Sequence, residues 1–140
     1  MILQYRDISR YKYMVAEPYV HRTDILGCAC STEFITLMDD GLLVVSPGYL
    51  WDGPSGPTID SDCGMRGSLV HDCLYELMRR SLLESTWREY ADRLLRETCI
   101  EDGMSEARAN IWYASVRSFA AKCAKFGTQP EDIVYAVGKE

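Results

Sequence analysis

Leu69-Val70-His71-Asp72-Cys73-Leu74-Tyr75-Glu76-Leu77-Met78 is the stretch on which the reading of this chain turns. Its apolar residues, Leu69, Val70, Cys73, Leu74, Leu77 and Met78, recur at helical spacing and predict an amphipathic helix. His71 and Tyr75 lie one turn apart on one side of it. Asp72 points about 100° away from them. A second segment repeats the period through Trp87, Tyr90, Ala91, Leu94, Leu95 and Thr98, and it carries the run Tyr90-Ala91-Asp92. The connection between the two is short, so the helices should pack antiparallel and return Asp92 to the His71 and Tyr75 face. Gly103 suits the end of the second helix and Ser105 the N-cap of a third. The third is expected to run through Ile111, Trp112, Val116, Phe119, Ala120 and Cys123 and to end near Gly127.

Upstream, the pattern changes. Tyr11 to Val20 is rich in aromatic and β-branched residues, and Glu33 to Leu37 and Leu42 to Ser46 flank the hairpin signal Asp39-Asp40-Gly41. From Gly48 the chain turns to Gly, Pro, Ser and Asp. The run Gly48-Tyr49-Leu50-Trp51-Asp52-Gly53-Pro54-Ser55-Gly56-Pro57-Thr58 excludes helix and makes a poor strand, so it reads as a fixed loop. Strands followed by helices make an α+β domain. The expectation is one domain over residues 1–140: strand-rich 1–47, a Gly/Pro loop over 48–62, helical 63–127, and a tail over 128–140. An N-terminal antiparallel sheet with hairpins should precede a three-helix bundle.

Composition narrows the function classes. A chain of 140 residues with 47% hydrophobic and 26% charged residues is ordinary globular protein. Its net charge of -6 argues against a binder of nucleic-acid backbone. There is no apolar run long enough to span a membrane and no secretion-signal core, which sets cytoplasmic synthesis as the expectation. Six cysteines, Cys28, Cys30, Cys63, Cys73, Cys99 and Cys123, lack metal-site spacing and read as reduced, mostly buried apolar side chains.

The Gly-rich loop, then His71-Asp72-x-x-Tyr75 on one helix, then Ala91-Asp92 on an antiparallel partner resemble the phospholipase A2 superfamily over about a third of the chain. The resemblance implies an ester hydrolase in which His71 is the general base, Asp92 orients it and Tyr75 supports that pair. It further implies a calcium ion held by Asp72 together with carbonyls of the loop, whose residues include Trp51, Gly53, Pro54, Ser55 and Gly56, and a phospholipid or other ester as substrate. The loop looks closer to the abbreviated glycine-proline loops of viral members than to the calcium loop of the secreted enzymes. Over more of the chain, Gly48 to Tyr75 and Trp87 to Met104 are similar to a family of uncharacterised phage and prophage proteins, a domain of unknown function with the same Trp-Asp-Gly-Pro-Ser-Gly-Pro loop. This implies a phage-encoded protein made in the cytoplasm of the infected cell, with a role in release or entry, or else a virion, assembly or host-interaction component.

Each residue also has a plainer reading. His71, Asp92 and Tyr75 also suit a buried polar network that only rigidifies the fold. Asp72 suits a solvated helix face or a partner for Arg66. Asp52 suits a turn cap or, alternatively, a second metal ligand beside Asp72, and Asp60 and Asp62 suit the N-terminus of the first helix. A Ser55–His71–Asp92 triad lacks a nucleophile elbow around Ser55, Cys73 falls on the apolar face, and His21 reads as structural.

Overall fold

The computed structural model describes residues 2–7, 13–54 and 62–119. Two compact units make up the chain, Met1–Trp51 and Asp52–Glu140. Antiparallel strands fill the first, and three helices follow in the second, which is the α+β arrangement expected.

In the first unit, β1 (Tyr5–Asp7), β2 (Tyr13–Val15) and β7 (Leu50–Trp51) form one sheet in the order β1-β2-β7. The second sheet has the order β3-β6-β5-β4, from β3 (Tyr19–Arg22), β4 (Cys30–Ser31), β5 (Ile35–Leu37) and β6 (Leu42–Val45). The aromatic stretch before Val20 is therefore two strands in different sheets. Pro18, which has no N–H to give to a ladder, lies between them.

The predicted hairpin forms as β5 and β6, in the register Ile35↔Val45 and Leu37↔Leu43. All four of these residues are buried, while Thr36 and Val44 between them are partly exposed. The alternation thus selects a register that stacks the apolar face of both strands. Gly41 makes the turn at φ +93°, and a Cβ there would stand 2.3 Å from the Thr23 carbonyl oxygen. Asp40 accepts the Leu42 N–H at 3.1 Å across the same turn.

Within the loop-like run, Leu50 and Trp51 pair with Met14 and Tyr13. This corrects the reading of the whole run as loop. Trp51 is fully buried, with its ring 5.5 Å from that of Tyr13 and 6.0 Å from that of Tyr5. An aromatic cluster of this kind favours strand pairing more than the neighbouring glycines and prolines oppose it.

The second unit is built on α1 (Asp62–Arg79), α2 (Arg88–Glu101) and α3 (Glu106–Phe119), with a 3₁₀ turn at Ser85–Trp87. Thirteen of the 18 residues of α1 are buried, so this helix is enclosed rather than half-exposed and its polar residues need internal partners. Helices α1 and α2 run antiparallel. Arg66 near the start of α1 meets Asp102 just past the end of α2, while Tyr75 near the end of α1 meets Asp92.

Both connections end in the same closure. After α2, the Gly103 N–H donates to Ile100 O and the Met104 N–H to Cys99 O, with Gly103 at φ +108°. After α1, the Ser81 N–H donates to Met78 O and the Leu82 N–H to Leu77 O, but here a serine holds the left-handed position at φ 62°. Each is a Schellman motif, which satisfies the last carbonyls of its helix. Ser105 caps α3 as expected, its Oγ accepting the Arg108 N–H at 3.2 Å.

On α3, Ala109 and Trp112 are buried and Val116 is partly so, against Leu95, Cys99 and Met104. Ile111 is the exception to the expected apolar face. It is 56% exposed, because it sits about 100° around the helix from Trp112. Ala120, Cys123 and Gly127, and the tail over 128–140, lie outside the described residues.

Candidate functional site

The centre of the second unit is the Asp92 carboxylate, which is 0% exposed. Three side chains from two other helices and one from its own converge on it. His71 Nε2 lies 2.7 Å from Oδ1 and the Tyr75 hydroxyl donates to the same oxygen at 2.6 Å. Arg117 Nη1, from α3, donates to Oδ2 at 2.8 Å. Arg88, one turn before Asp92 on α2, holds a guanidinium nitrogen 3.9 Å from Oδ2.

Local sequence explains the arrangement. His71 and Tyr75 are four apart on α1, and their rings stack with centroids 4.2 Å apart and planes tilted by 34°. Gly67, one turn before His71, lets α2 approach: a Cβ there would meet Cys99 Sγ and a Leu95 methyl at 3.0 Å and the Leu95 carbonyl oxygen at 3.2 Å. The missing side chain brings the two helices close enough for the short Asp92 side chain to reach His71. The third helix is tied on by a second rung, where the Tyr113 hydroxyl donates to Glu89 Oε2 at 2.9 Å. Tyr113 and Arg117 are one turn apart on α3, and Glu89 and Asp92 one turn apart on α2.

Burial pushes the Asp92 carboxyl up, but the hydrogen bonds from His71, Tyr75 and Arg117 outweigh it and hold the group below the usual carboxylate range. Burial, and then the negative charge of Asp92, push the Tyr75 phenol well above the usual tyrosine range. Tyr75 therefore stays protonated and always donates. An ionised Asp92 accepts only, so the His71 proton that points at it resides on Nε2, and Nδ1 lies on the far edge of the ring. Among the described residues no hydrogen bond is made to Nδ1.

His71, Tyr75 and Asp92, expected together, are brought together. Asp72 and Asp52 are both buried in the same unit. Among the described residues, no group of three or more His, Cys, Asp or Glu side chains is placed to hold a metal ion. Gly53 adopts φ +76°, a conformation that favours glycine, and Pro54 packs on the first turns of α1, where a Cβ on Gly64 would meet its ring at 2.8 Å. Trp51 belongs to the aromatic cluster of the first unit. Ser55 and Gly56 lie outside the described residues, and with them any triad through Ser55.

Arg66, considered as a partner for Asp72, forks onto Asp102 at 3.0 and 2.8 Å. Cys73 is fully buried, and the Tyr19 hydroxyl lies 2.9 Å from His21 Nδ1 within the second sheet. The two arginines on Asp92 were not anticipated. Arg88 was within reach of an i, i+4 reading, whereas nothing in the sequence marks Arg117 apart from other helix-surface charges.

Comparison with protein-family models, with curated proteins and with solved structures returned no match. Among the described residues no helix is long and apolar enough to cross a membrane.

Proposed function

We propose that His71, Asp92 and Tyr75 form a general-base site for ester hydrolysis, in the manner implied by the resemblance to the phospholipase A2 superfamily. In this reading the protein is phage-encoded and acts on phospholipid during release or entry. The observation that carries it is the double use of Asp92 Oδ1, which takes His71 Nε2 and the Tyr75 hydroxyl together. That geometry fixes the ring plane and directs Nδ1 away from the carboxylate.

Chemically, a water hydrogen-bonded to Nδ1 gives its proton to the ring while its oxygen attacks the ester carbonyl carbon. The bond from that carbon to the alcohol oxygen then breaks, and the departing oxygen takes the proton back from Nδ1. Acid and alcohol leave, and the ring is neutral again. Asp92 stabilises the transient imidazolium, and Tyr75 keeps the carboxylate from turning.

The proposal also gives Asp72, with Asp52, the ligation of a calcium ion. Carboxylate oxygens are the hard donors calcium takes, and two buried side chains leave the rest of its six to eight positions to backbone carbonyls and water. When bound, the ion supplies electrophilic polarisation of the ester carbonyl.

One observation favours a second reading. His71 is only 7% exposed, within a helix enclosed on most sides, which is what a rigidifying network in a virion, assembly or host-interaction protein would show. Fatty-acid release from phosphatidylcholine–phosphatidylglycerol vesicles, with and without calcium, separates the two. Release that needs calcium and falls by about 10²-fold or more in His71→Gln supports the hydrolase. No release by the wild type from vesicles or soluble nitrophenyl esters, together with a lowered melting temperature in His71→Gln, overturns it in favour of the network.

A further inference from the structure

We propose that Cys63 and Cys99 are a redox pair, two thiols that a small-molecule disulfide such as oxidised glutathione converts into a staple between the start of α1 and the end of α2. The inference is independent of the hydrolase reading.

The register of the two helices brings these residues together. Gly67 on α1 faces α2 so closely that a Cβ there would stand 3.2 Å from the Leu95 carbonyl oxygen and 3.0 Å from Cys99 Sγ. Cys63 lies one turn before Gly67, and Cys99 lies one turn after Leu95. In an antiparallel pair both steps lead about 5.4 Å toward the same end, so 63 and 99 form the next rung after 67 and 95. Cys63 packs on the apolar cluster that Cys99 shares with Leu95, Met104, Ala109 and Trp112. The Arg66 fork on Asp102 holds that end of the pair shut. A disulfide needs Cα atoms about 4.4–6.8 Å apart, and packing across a bare glycine is what lets two helices approach that far.

Both sulfurs are thiols in this structure, and they differ in access. Cys99 is fully buried, whereas Cys63 is partly exposed. Burial, and then Cys63 and Asp102, push the Cys99 thiol up to about 12, so it stays protonated at neutral pH and Cys63 attacks first. Two exchanges follow in order. The Cys63 thiolate attacks one sulfur of oxidised glutathione, whose S–S bond breaks, and one glutathione leaves as its thiolate. Cys99 then gives its proton to solvent and attacks the Cys63 sulfur, and the second glutathione leaves. Two protein thiols are oxidised to one disulfide, one external disulfide is reduced to two thiols, and the two protons end on glutathione. The product closes a loop of about 36 residues that contains the whole helix pair around Asp92. It also fixes the turn of α1 at Gly64, on which Pro54 and Trp112 rest.

The test treats the full folded chain, first reduced, with oxidised glutathione at mildly alkaline pH. Remaining thiols are blocked with N-ethylmaleimide, and disulfides are mapped by mass spectrometry of unreduced peptides. The Cys63–Cys99 bond should dominate in the folded chain, and the preference should vanish in urea, where all six cysteines compete. Glutathione that remains on Cys63 without closure, or a dominant bond between other cysteines, overturns the proposal. The same preference in urea overturns it too, because the fold would then not be what selects the pair.

Thermal melts read the consequence. The oxidised chain should melt about 5–10 °C above the reduced one, and Cys63→Ser should lose that rise. An unchanged melting temperature on oxidation, or an equal rise in Cys63→Ser, overturns the staple. The peptide map needs no variant, so a failure of Cys63→Ser to fold leaves the proposal open to refutation.

Discussion

Replacing Asp92 by asparagine tests the centre of the second unit most directly. The amide keeps the shape of the carboxylate but turns one acceptor into a donor. His71 Nε2 and the Tyr75 hydroxyl on one oxygen, and Arg117 on the other, then cannot all be satisfied. Hydrogen bonds to charged groups contribute about 1.5–3 kcal/mol each, and breaking a buried ion pair from one side costs about 3–5 kcal/mol. Arg117 is 31% exposed and can turn to water, so the lower end applies, about 3 kcal/mol at pH 7. For a chain of this size that corresponds to a melting temperature lower by roughly 10 °C, or a urea midpoint lower by roughly 1–2 M. The pH dependence has a definite sign. Because the folded Asp92 carboxyl is held below its unfolded value of about 3.9, its stabilisation is complete above that value and is lost as pH falls through the folded one. Urea titrations from pH 7 downward should therefore show the gap between wild type and Asp92→Asn holding to about pH 5 and closing below about pH 4. A gap under about 1 kcal/mol at pH 7, or one that does not close in acid, refutes the account.

Gly41→Ala should destabilise the chain by roughly 2 kcal/mol or more, read by chemical denaturation, since the turn needs φ +93° and the new methyl would meet the Thr23 carbonyl oxygen at 2.3 Å. Ser81→Gly should do the opposite, raising stability by about 0.5–1 kcal/mol, because a serine now holds the left-handed closure of α1 at φ 62°. In a thiol-labelling time course followed by mass spectrometry, Cys28 and Cys30 should react well before Cys99, whose thiol is pushed up to about 12 by burial and then by Cys63 and Asp102. Cys99 that labels as fast as Cys28 in the folded protein contradicts that burial.

The parts of the fold that follow from neighbouring residues were legible in the sequence. His71 and Tyr75 share a face because they are four apart, Gly103 and Ser105 mark an end and a beginning, and Asp39-Asp40-Gly41 announces a hairpin. Each depends on chain geometry within a turn or two. Features set by packing across the molecule were not. The strand at Leu50–Trp51 exists because Trp51 finds Tyr5 and Tyr13, and those residues lie far away in sequence. Ile111 points outward because the rotation of α3 is set by Trp112 against Leu95 and Cys99, which the apolar count along α3 does not reveal. The same rotation chooses Arg117 as the partner of Asp92. Three of the four groups around that carboxylate were within reach of spacing arguments on α1 and α2, and the fourth depends on how a third helix docks.

The convergence of α1, α2 and α3 on one buried carboxylate also bears on how the second unit folds. A partly assembled state with only α1 and α2 in place would hold Asp92 without the Arg117 contact to Oδ2. Such a half-formed species lacks one of the contacts that steady the finished one. The lost contact disfavours intermediates, so docking of the third helix should be coupled to that of the first two, and a chain shortened before Arg117 should be less stable than the full one.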